Sequence, residues 1–258
     1  MKNNILEMIL AILPVFLYSL LVYYMVPNRF LSQRRARRYL ITGMVSPTLV
    51  YVFNYIFPHW STQITSGNLF LIFGFQSFIQ IGLVEEVAKF LTFWWVLSQR
   101  KSSINDLPIA TMYYCMMASG GFALIENISY LMSYGNEVLF IRAISAIILH
   151  MICGIIMGFY IQKAFSVKSV FIEKDSLFES IKPNFNKWRL ILTGIIVSTI
   201  FHGIYDMNLF LPFNVYSNLF LFIILFFGLF IGKFMIDEAI RKSAEIRNKN
   251  FTKDLEHF

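Results

Sequence analysis

Charge is scarce in this chain. Of its 258 residues, 14% are charged and 57% are hydrophobic, whereas soluble domains carry about 25% charge. That excludes an ordinary water-soluble domain. Cysteine is nearly absent. Cys115 and Cys153 both lie inside apolar runs, so neither a disulfide framework nor a zinc-finger pattern is available, and both read as small buried hydrophobes. No loop between apolar runs is long enough to fold as a domain of its own. There is no Gly-rich phosphate loop, no H-E-x-x-H and no G-x-S-x-G. Soluble-enzyme chemistry is therefore unsupported, and any chemistry belongs at membrane depth. No internal repeat is evident, which argues against a transporter built from repeated halves. No A-x-A site follows the first apolar run. That run exceeds the about 7–15 residues of a signal h-region, so it reads as a span rather than a cleavable signal.

What is present is apolar sequence, with Phe alone contributing 28 residues. A span needs about 20 such residues. Seven runs qualify, at 5–26, 39–57, 69–97, 108–132, 138–162, 189–211 and 215–236. The expected fold is an all-α, polytopic transmembrane helix bundle of about seven spans, with 1–258 as a single integral membrane domain. The third run is long enough to require tilt, a kink or an interfacial part. Pro14 is placed to kink the first, and Gly120-Gly121 to loosen the fourth just before Glu126.

The net charge of +7 would suggest nucleic acid in a soluble protein. Here it reads as membrane anchoring, because cytoplasmic loops collect Lys and Arg. Arg29, Arg34, Arg35, Arg37 and Arg38 precede the second span. Arg100 and Lys101 follow the third. Lys168, Lys174, Lys182 and Lys187 follow the fifth, and the tail 237–258 carries Arg241, Lys242, Arg247, Lys249 and Lys253. The alternate loops 58–68, 133–137 and 212–214 have no Lys or Arg. This alternation places the multi-pass chain in the cell membrane with its N-terminus outside and its basic, helical tail in the cytoplasm. It leaves no nucleic-acid partner; the expected partner is the bilayer.

The apolar runs contain residues that do not belong in lipid. A charge at the bilayer centre costs about 2.5–3.5 kcal/mol on insertion scales, so several such groups are cheaper gathered around one pocket. Glu85, Glu86 and Lys89 sit in the third run. Lys89 lies at i+4 and i+3 from the two acids and can neutralise one of them. The other is then a carboxylate in low dielectric beside a like charge, suited to general base or general acid work. A structural salt bridge is the plainer reading of such a pair, but two adjacent acids exceed what neutralisation needs. Phe122 and Glu126 share a face in the fourth run, with Asn127 next to the acid. Glu126 fits either a simple pairing with a His across the bundle or a role on a water, a metal or a substrate backbone. His150 stands alone in the fifth run, where a histidine is more often an interhelical hydrogen bonder. His202 and Asp206 are an i, i+4 pair in the sixth, so the carboxylate can set the imidazole tautomer. Gly154 and Gly203 admit a close neighbour or a substrate strand.

Depth is consistent with one pocket. At about 1.5 Å per residue, His150 lies roughly 18 Å from the outer end of its span and His202 roughly 20 Å from the inner end of its own. In a core about 30 Å thick both fall near mid-membrane. Glu126 and Asp206 fall nearer the outer surface.

These motifs, in this order, resemble the PrsW family of intramembrane proteases, whose pattern is E-E-x-x-K, F-x-x-x-E-N, a lone His, then H-x-x-x-D. The chain reads EEVAK at 85–89, FALIEN at 122–127, His150 and HGIYD at 202–206. Each motif is weak alone; the ordered set on consecutive spans is specific and covers about 80–210. The family is similar to the type II CAAX-processing (abortive-infection) proteases and to a subunit of gamma-secretase. The resemblance implies an all-helical membrane core, peptide-bond hydrolysis, and a substrate such as a membrane-anchored anti-sigma factor cut on the outer side. The catalytic set it implies is Glu85, Glu86, Lys89, Glu126, His150 and His202, supported by Asn127, Asp206 and Phe122. Two chemistries remain open. His150, His202 and Glu126 are a plausible Zn²⁺ ligand set. The same groups suit metal-free hydrolysis, with a Glu activating water and a His donating to the oxyanion. A non-catalytic scaffold or a proton-coupled transporter is the alternative use of the same cluster.

Overall fold

A computed structural model of the chain describes residues 30–57, 68–98, 108–134, 136–166, 185–210 and 215–256, with isolated positions before residue 27. Every element among the described residues is helical. In chain order they are α1 (Gln33–Gly43), α2 (Ser46–Ile56), α3 (Leu69–Phe75), a π-helical segment (Gln76–Leu83), α4 (Val84–Ser98), α5 (Pro108–Tyr134), α6 (Asn136–Ser166), α7 (Phe185–Phe210) and α8 (Val215–Glu256). Six stretches are long and apolar enough to cross a membrane: Gln33–Ile56, Leu69–Ser98, Pro108–Ser133, Ser145–Phe165, Phe185–Phe210 and Leu219–Asn248. The expected run at 5–26, with its Pro14 kink, lies outside the described residues apart from isolated positions; of these, Val15 and Val26 are buried in the main core. The loops 58–67, 99–107 and 211–214 also lie outside, as does most of 164–187.

Backbone amides have no water to bond in hydrocarbon, so each span satisfies them internally as a helix. The packing is that of a lipid-immersed bundle. Along α8, Phe222, Phe226, Phe230 and Phe234 face outward, while Leu221, Ile224, Leu225 and Ile236 are buried. Contiguous exposed aromatic surface on this scale belongs against acyl chains. α5 and α6 form the centre of the bundle and are buried along nearly their whole spans. Their close approach comes from Gly154-x-x-x-Gly158. A Cβ at Gly158 would lie 2.7 Å from the Met112 Cα, and one at Gly154 would lie 2.9 Å from the Met116 Cα. Without a hydrophobic force between helices in lipid, such small-residue contacts supply the packing.

Three sequence expectations change in detail. The Gln33–Ile56 stretch is two helices with a turn at Met44–Val45. The long third run resolves into α3, a π-helical segment and α4, a local change of pitch that such segments often bring to functional sites. Gly120-Gly121 does not loosen α5, which runs unbroken from Pro108 to Tyr134. Gly121 instead takes the backbone of α1, since a Cβ there would fall on the Leu40 carbonyl and lie 2.9 Å from the Met44 nitrogen. Cys115 and Cys153 are free and buried. The tail continues α8 without a break as far as Glu256, and it touches the start of α5 where the Ile109 amide donates to Ser243 Oγ at 3.1 Å.

Candidate functional site

Four helices bring the ionisable residues of the apolar runs together. α4 supplies Glu85, Glu86 and Lys89; α5 supplies Glu126, with Phe122 and Asn127; α6 supplies His150; α7 supplies His202 and Asp206. The π-helical segment packs on α7 immediately before the acids: a Cβ at Gly203 would lie 2.6 Å from ring carbon of Phe78. Gly203 therefore admits a neighbour from within the chain. Gly154 does likewise, meeting Ser119 Oγ and the backbone of Cys115 and Met116.

The side chains form one continuous chain of contacts. An ammonium has only donors, so Lys89 Nζ donates to Glu86 Oε1 at 2.7 Å and to His150 Nδ1 at 2.8 Å. With Nδ1 accepting, His150 carries its proton on Nε2 and donates it to Glu126 Oε2 at 2.7 Å. On the other side, His202 Nδ1 donates to Glu86 Oε1 at 2.9 Å. His202 Nε2 then faces Asp206 Oδ2 at 3.3 Å and Glu85 Oε2 at 3.7 Å. Lys89 also lies 3.8 Å from Glu85 Oε2. The two imidazoles meet edge to face with centroids 5.0 Å apart. Phe122 closes one wall, 5.3 Å from the His150 ring and 4.3 Å below the Lys89 ammonium.

Burial is graded across this cluster. The side chains of Glu86 and Lys89 are 0% and 1% exposed, Glu85 9%, Asp206 10% and Glu126 14%. Glu126 is the least buried acid of the cluster, and access lies on its side. Glu86 Oε1 accepts from two N–H groups, those of Lys89 and His202, whereas Glu85 Oε2 is buried with no hydrogen-bond partner, as are Glu86 Oε2, Asp206 Oδ2 and both amide atoms of Asn127. Buried polar atoms of this kind call for a partner that comes from outside the chain. Glu85, His150 and His202 each offer a ligand atom, and these lie within 4.8 Å of one another.

Eight of the nine residues singled out from the sequence meet in one cluster, while Asn127 is buried next to Glu126 on α5 with both amide atoms unpartnered, and three contacts differ from expectation. Glu126 makes the plain pairing with His150, and the acid that converges on the two histidines is Glu85. Lys89 bridges to His150, a contact 61 residues away in sequence that helical spacing within one run cannot reveal. The Nδ1 partner of His202 is Glu86 rather than Asp206, which faces Nε2.

A family model described as "PrsW family intramembrane metalloprotease" matches residues 35–232. Among curated proteins, the chain is similar to the Protease PrsW of Oceanobacillus iheyensis, 32% identical over 149 residues, covering 58% of this chain and 59% of that one. The Protease PrsW of Bacillus subtilis is 33% identical over 138 residues, covering 52% and 54%. That of Geobacillus kaustophilus is 31% identical over 133 residues, covering 51% and 50%. The chain thus spans little more than half the length of these relatives. No solved structure matches.

Proposed function

The chain belongs to the PrsW family of intramembrane metalloproteases, and from that premise we propose that it is an endopeptidase that cuts a membrane-anchored protein in the Glu85–His150–His202 pocket. The observation that carries this reading is the Glu85 carboxylate. Its Oε2 is buried, has no hydrogen-bond partner, and lies 3.7 Å from His202 Nε2 beside a second unpartnered oxygen on Asp206. A water held between them would have a proton acceptor on one side and N–H donors on the other.

The residues divide the work by their contacts. Glu86 holds Lys89 and His202 in place and is shut off from solvent. Glu85 takes the proton of the attacking water and returns it to the leaving amine, as one group can serve both steps. Lys89 points an N–H donor into the same space, where an oxyanion would develop, and in the metal-free chemistry a doubly protonated His202 would add a second from Nε2. Glu126 anchors His150 and is placed to receive the proton on its Nε2. Asn127 carries an unpartnered donor and acceptor suited to a substrate backbone.

The donor set also fits the metal implied by the family. Glu85, His150 and His202 converge, the Glu85 oxygen lacks a partner, and His202 gives its Nδ1–H to a carboxylate, the arrangement that frees Nε2 for a metal; His150, whose Nδ1 accepts from Lys89 and whose Nε2–H is held by Glu126, would join the set by giving up one of these contacts. We assign Zn²⁺ to these three residues, with N and O ligands of the kind it takes. Bound there, it would polarise the scissile carbonyl and acidify a bound water. The proposed orientation has the C-terminus in the cytoplasm, so the pocket opens toward the outer half of the membrane, where an anti-sigma factor or similar single-span protein would be cut.

The test is cleavage in proteoliposomes that hold the purified protein and a panel of dye-quenched, single-span membrane peptides. Wild type is expected to cleave at least one peptide and Glu85→Gln none, with equal protein incorporated. Equal cleavage by the two would sink the assignment.

A further inference from the structure

α6 and α7 are joined by polar contacts at two levels, and the histidines lie between them. At one level, Ser198 Oγ donates to the Cys153 carbonyl at 3.0 Å, and Cys153 Sγ donates back to the Ser198 carbonyl at 3.6 Å. At the other, Ser145 Oγ and the Tyr205 hydroxyl are 2.7 Å apart. All four residues are buried. On α6, His150 follows Ser145 and precedes Cys153. On α7, His202 follows Ser198 and precedes Tyr205. Each clasp is thus about one turn from the two rings, on opposite sides.

The surrounding surfaces are apolar, and apolar ridges and grooves set preferred crossing angles with a scatter of about 15–20°. A hydrogen bond is directional. Two of them, one on each side of a point, fix both rotation and slide at that point. The Ser198–Cys153 contact also engages the backbone of the site itself: in a continuous α-helix the Ser198 carbonyl is the acceptor of the His202 amide. None of the four residues belongs to the set that the sequence motifs single out.

We propose that the Ser198–Cys153 and Ser145–Tyr205 clasps are positioning elements of the hydrolytic site. They lock α6 to α7 on either side of His150 and His202 and so hold the two imidazoles at one separation. The inference rests on the protease reading of that pocket, and it assigns the four residues no contact with substrate.

The test uses Ser198→Ala, Tyr205→Phe and the double variant of the full-length protein in proteoliposomes. Gly194→Ala is the control. It disturbs the same helix pair away from the site, because a Cβ there would lie 2.9 Å from Tyr160 Cβ. Three quantities are read: kcat and KM on a cleaved dye-quenched peptide, affinity for Co²⁺ by its absorption spectrum, and the melting temperature. Loss of a partner that orients a ligand typically costs about 10–100-fold. Each single clasp variant is expected to lose about tenfold in both kcat and Co²⁺ affinity with KM unchanged, and the double variant more than the product of the two. Gly194→Ala is expected to lower the melting temperature alone. If the clasp variants stay within twofold of wild type, or lose activity only in step with melting as Gly194→Ala does, the inference is overturned. In a wild type that cleaves but binds no Co²⁺, kcat decides by the same thresholds. A wild type that neither cleaves nor binds Co²⁺ overturns the reading of the pocket itself, and this inference with it.

Discussion

Glu86 Oε1 accepts from Lys89 and His202 at 2.7 and 2.9 Å, with no exposure of its side chain. Removing one partner of a buried ion pair leaves the other charge unpaired, at a cost of about 3–5 kcal/mol. Glu86→Ala is therefore expected to reduce folded protein recovered from membranes, measured by gel filtration in detergent. Glu85→Gln should behave otherwise. Glu85 Oε2 satisfies no donor, so an isosteric amide leaves the bundle intact and removes the proton acceptor. It should give normal yield and melting temperature with no cleavage; a variant that unfolds would assign Glu85 to the scaffold. The histidines separate the two chemistries. If they share a metal with Glu85, His150→Ala and His202→Ala each remove stoichiometric zinc and all cleavage together. A chelator then reproduces the loss and added Zn²⁺ reverses it. If they act only as donors to an oxyanion, each loss costs about 10²–10³ in rate and chelators have no effect. Elemental analysis of active protein beside the cleavage assay distinguishes these outcomes. Half of this residue-level picture was legible in one run of sequence. The i, i+3 contact of Lys89 with Glu86 follows from helical pitch, whereas the Lys89 contact with His150 and the Glu86 contact with His202 depend on how four helices face one another.

At the scale of elements, the α5–α6 contact supports the floor of the pocket, because Gly154 lies one turn from His150. Gly158→Ala puts a Cβ 2.7 Å from Met112 Cα and 3.0 Å from Cys115 Cβ. Backbone has no room to give, and overpacking of this kind costs about 1–3 kcal/mol. Gly74→Ala is the opposite case, with nothing within 4 Å of the added carbon. There the gain in helix propensity, up to about 1 kcal/mol, is unopposed. Thermal unfolding in detergent should therefore fall for Gly158→Ala and hold or rise for Gly74→Ala. The reverse order would mean that α5 and α6 do not approach at these glycines. Helix existence was readable from apolar run length. The turn at Met44–Val45 is marked in the sequence by Gly43 before it and by Pro47 in the first turn of α2, whereas the π-helical segment at Gln76–Leu83 carries Gln76, Ser77 and Gln80 but no pattern that separates π from α pitch. The role of Gly120-Gly121 was misread for a related reason: a glycine pair loosens an isolated helix, but a neighbour packed into the gap holds it straight.

For the whole molecule, orientation is the property on which the location of cleavage depends. Four basic segments alternate with three that have no Lys or Arg, and cytoplasmic loops retain positive charge. Reporter fusions after Asn105 and Lys182 should give cytoplasmic signals, and fusions after Asn68 and Asn136 external ones. A cytoplasmic signal at Asn68 or Asn136 would invert the topology and move the proposed cut to the inner side. A non-catalytic scaffold would share this topology but would show loss of assembly, rather than loss of cleavage, in the Glu85→Gln variant.

The sequence by itself determined the solvent, the helical class and the main ionisable members of the polar set. Those follow from short-range rules: apolar length demands a helix in lipid, and charges too costly for lipid must share a pocket. Tertiary structure alone decided which partner each residue has. His202 pairs with Glu86 across 116 residues and His150 with Glu126 across 24, and Glu85 is left with an unpartnered oxygen. Such contacts depend on the rotation, crossing and slide of helices against one another. Those variables are set by close glycine contacts and interhelical hydrogen bonds acting together, and the periodicity of any single helix does not contain them.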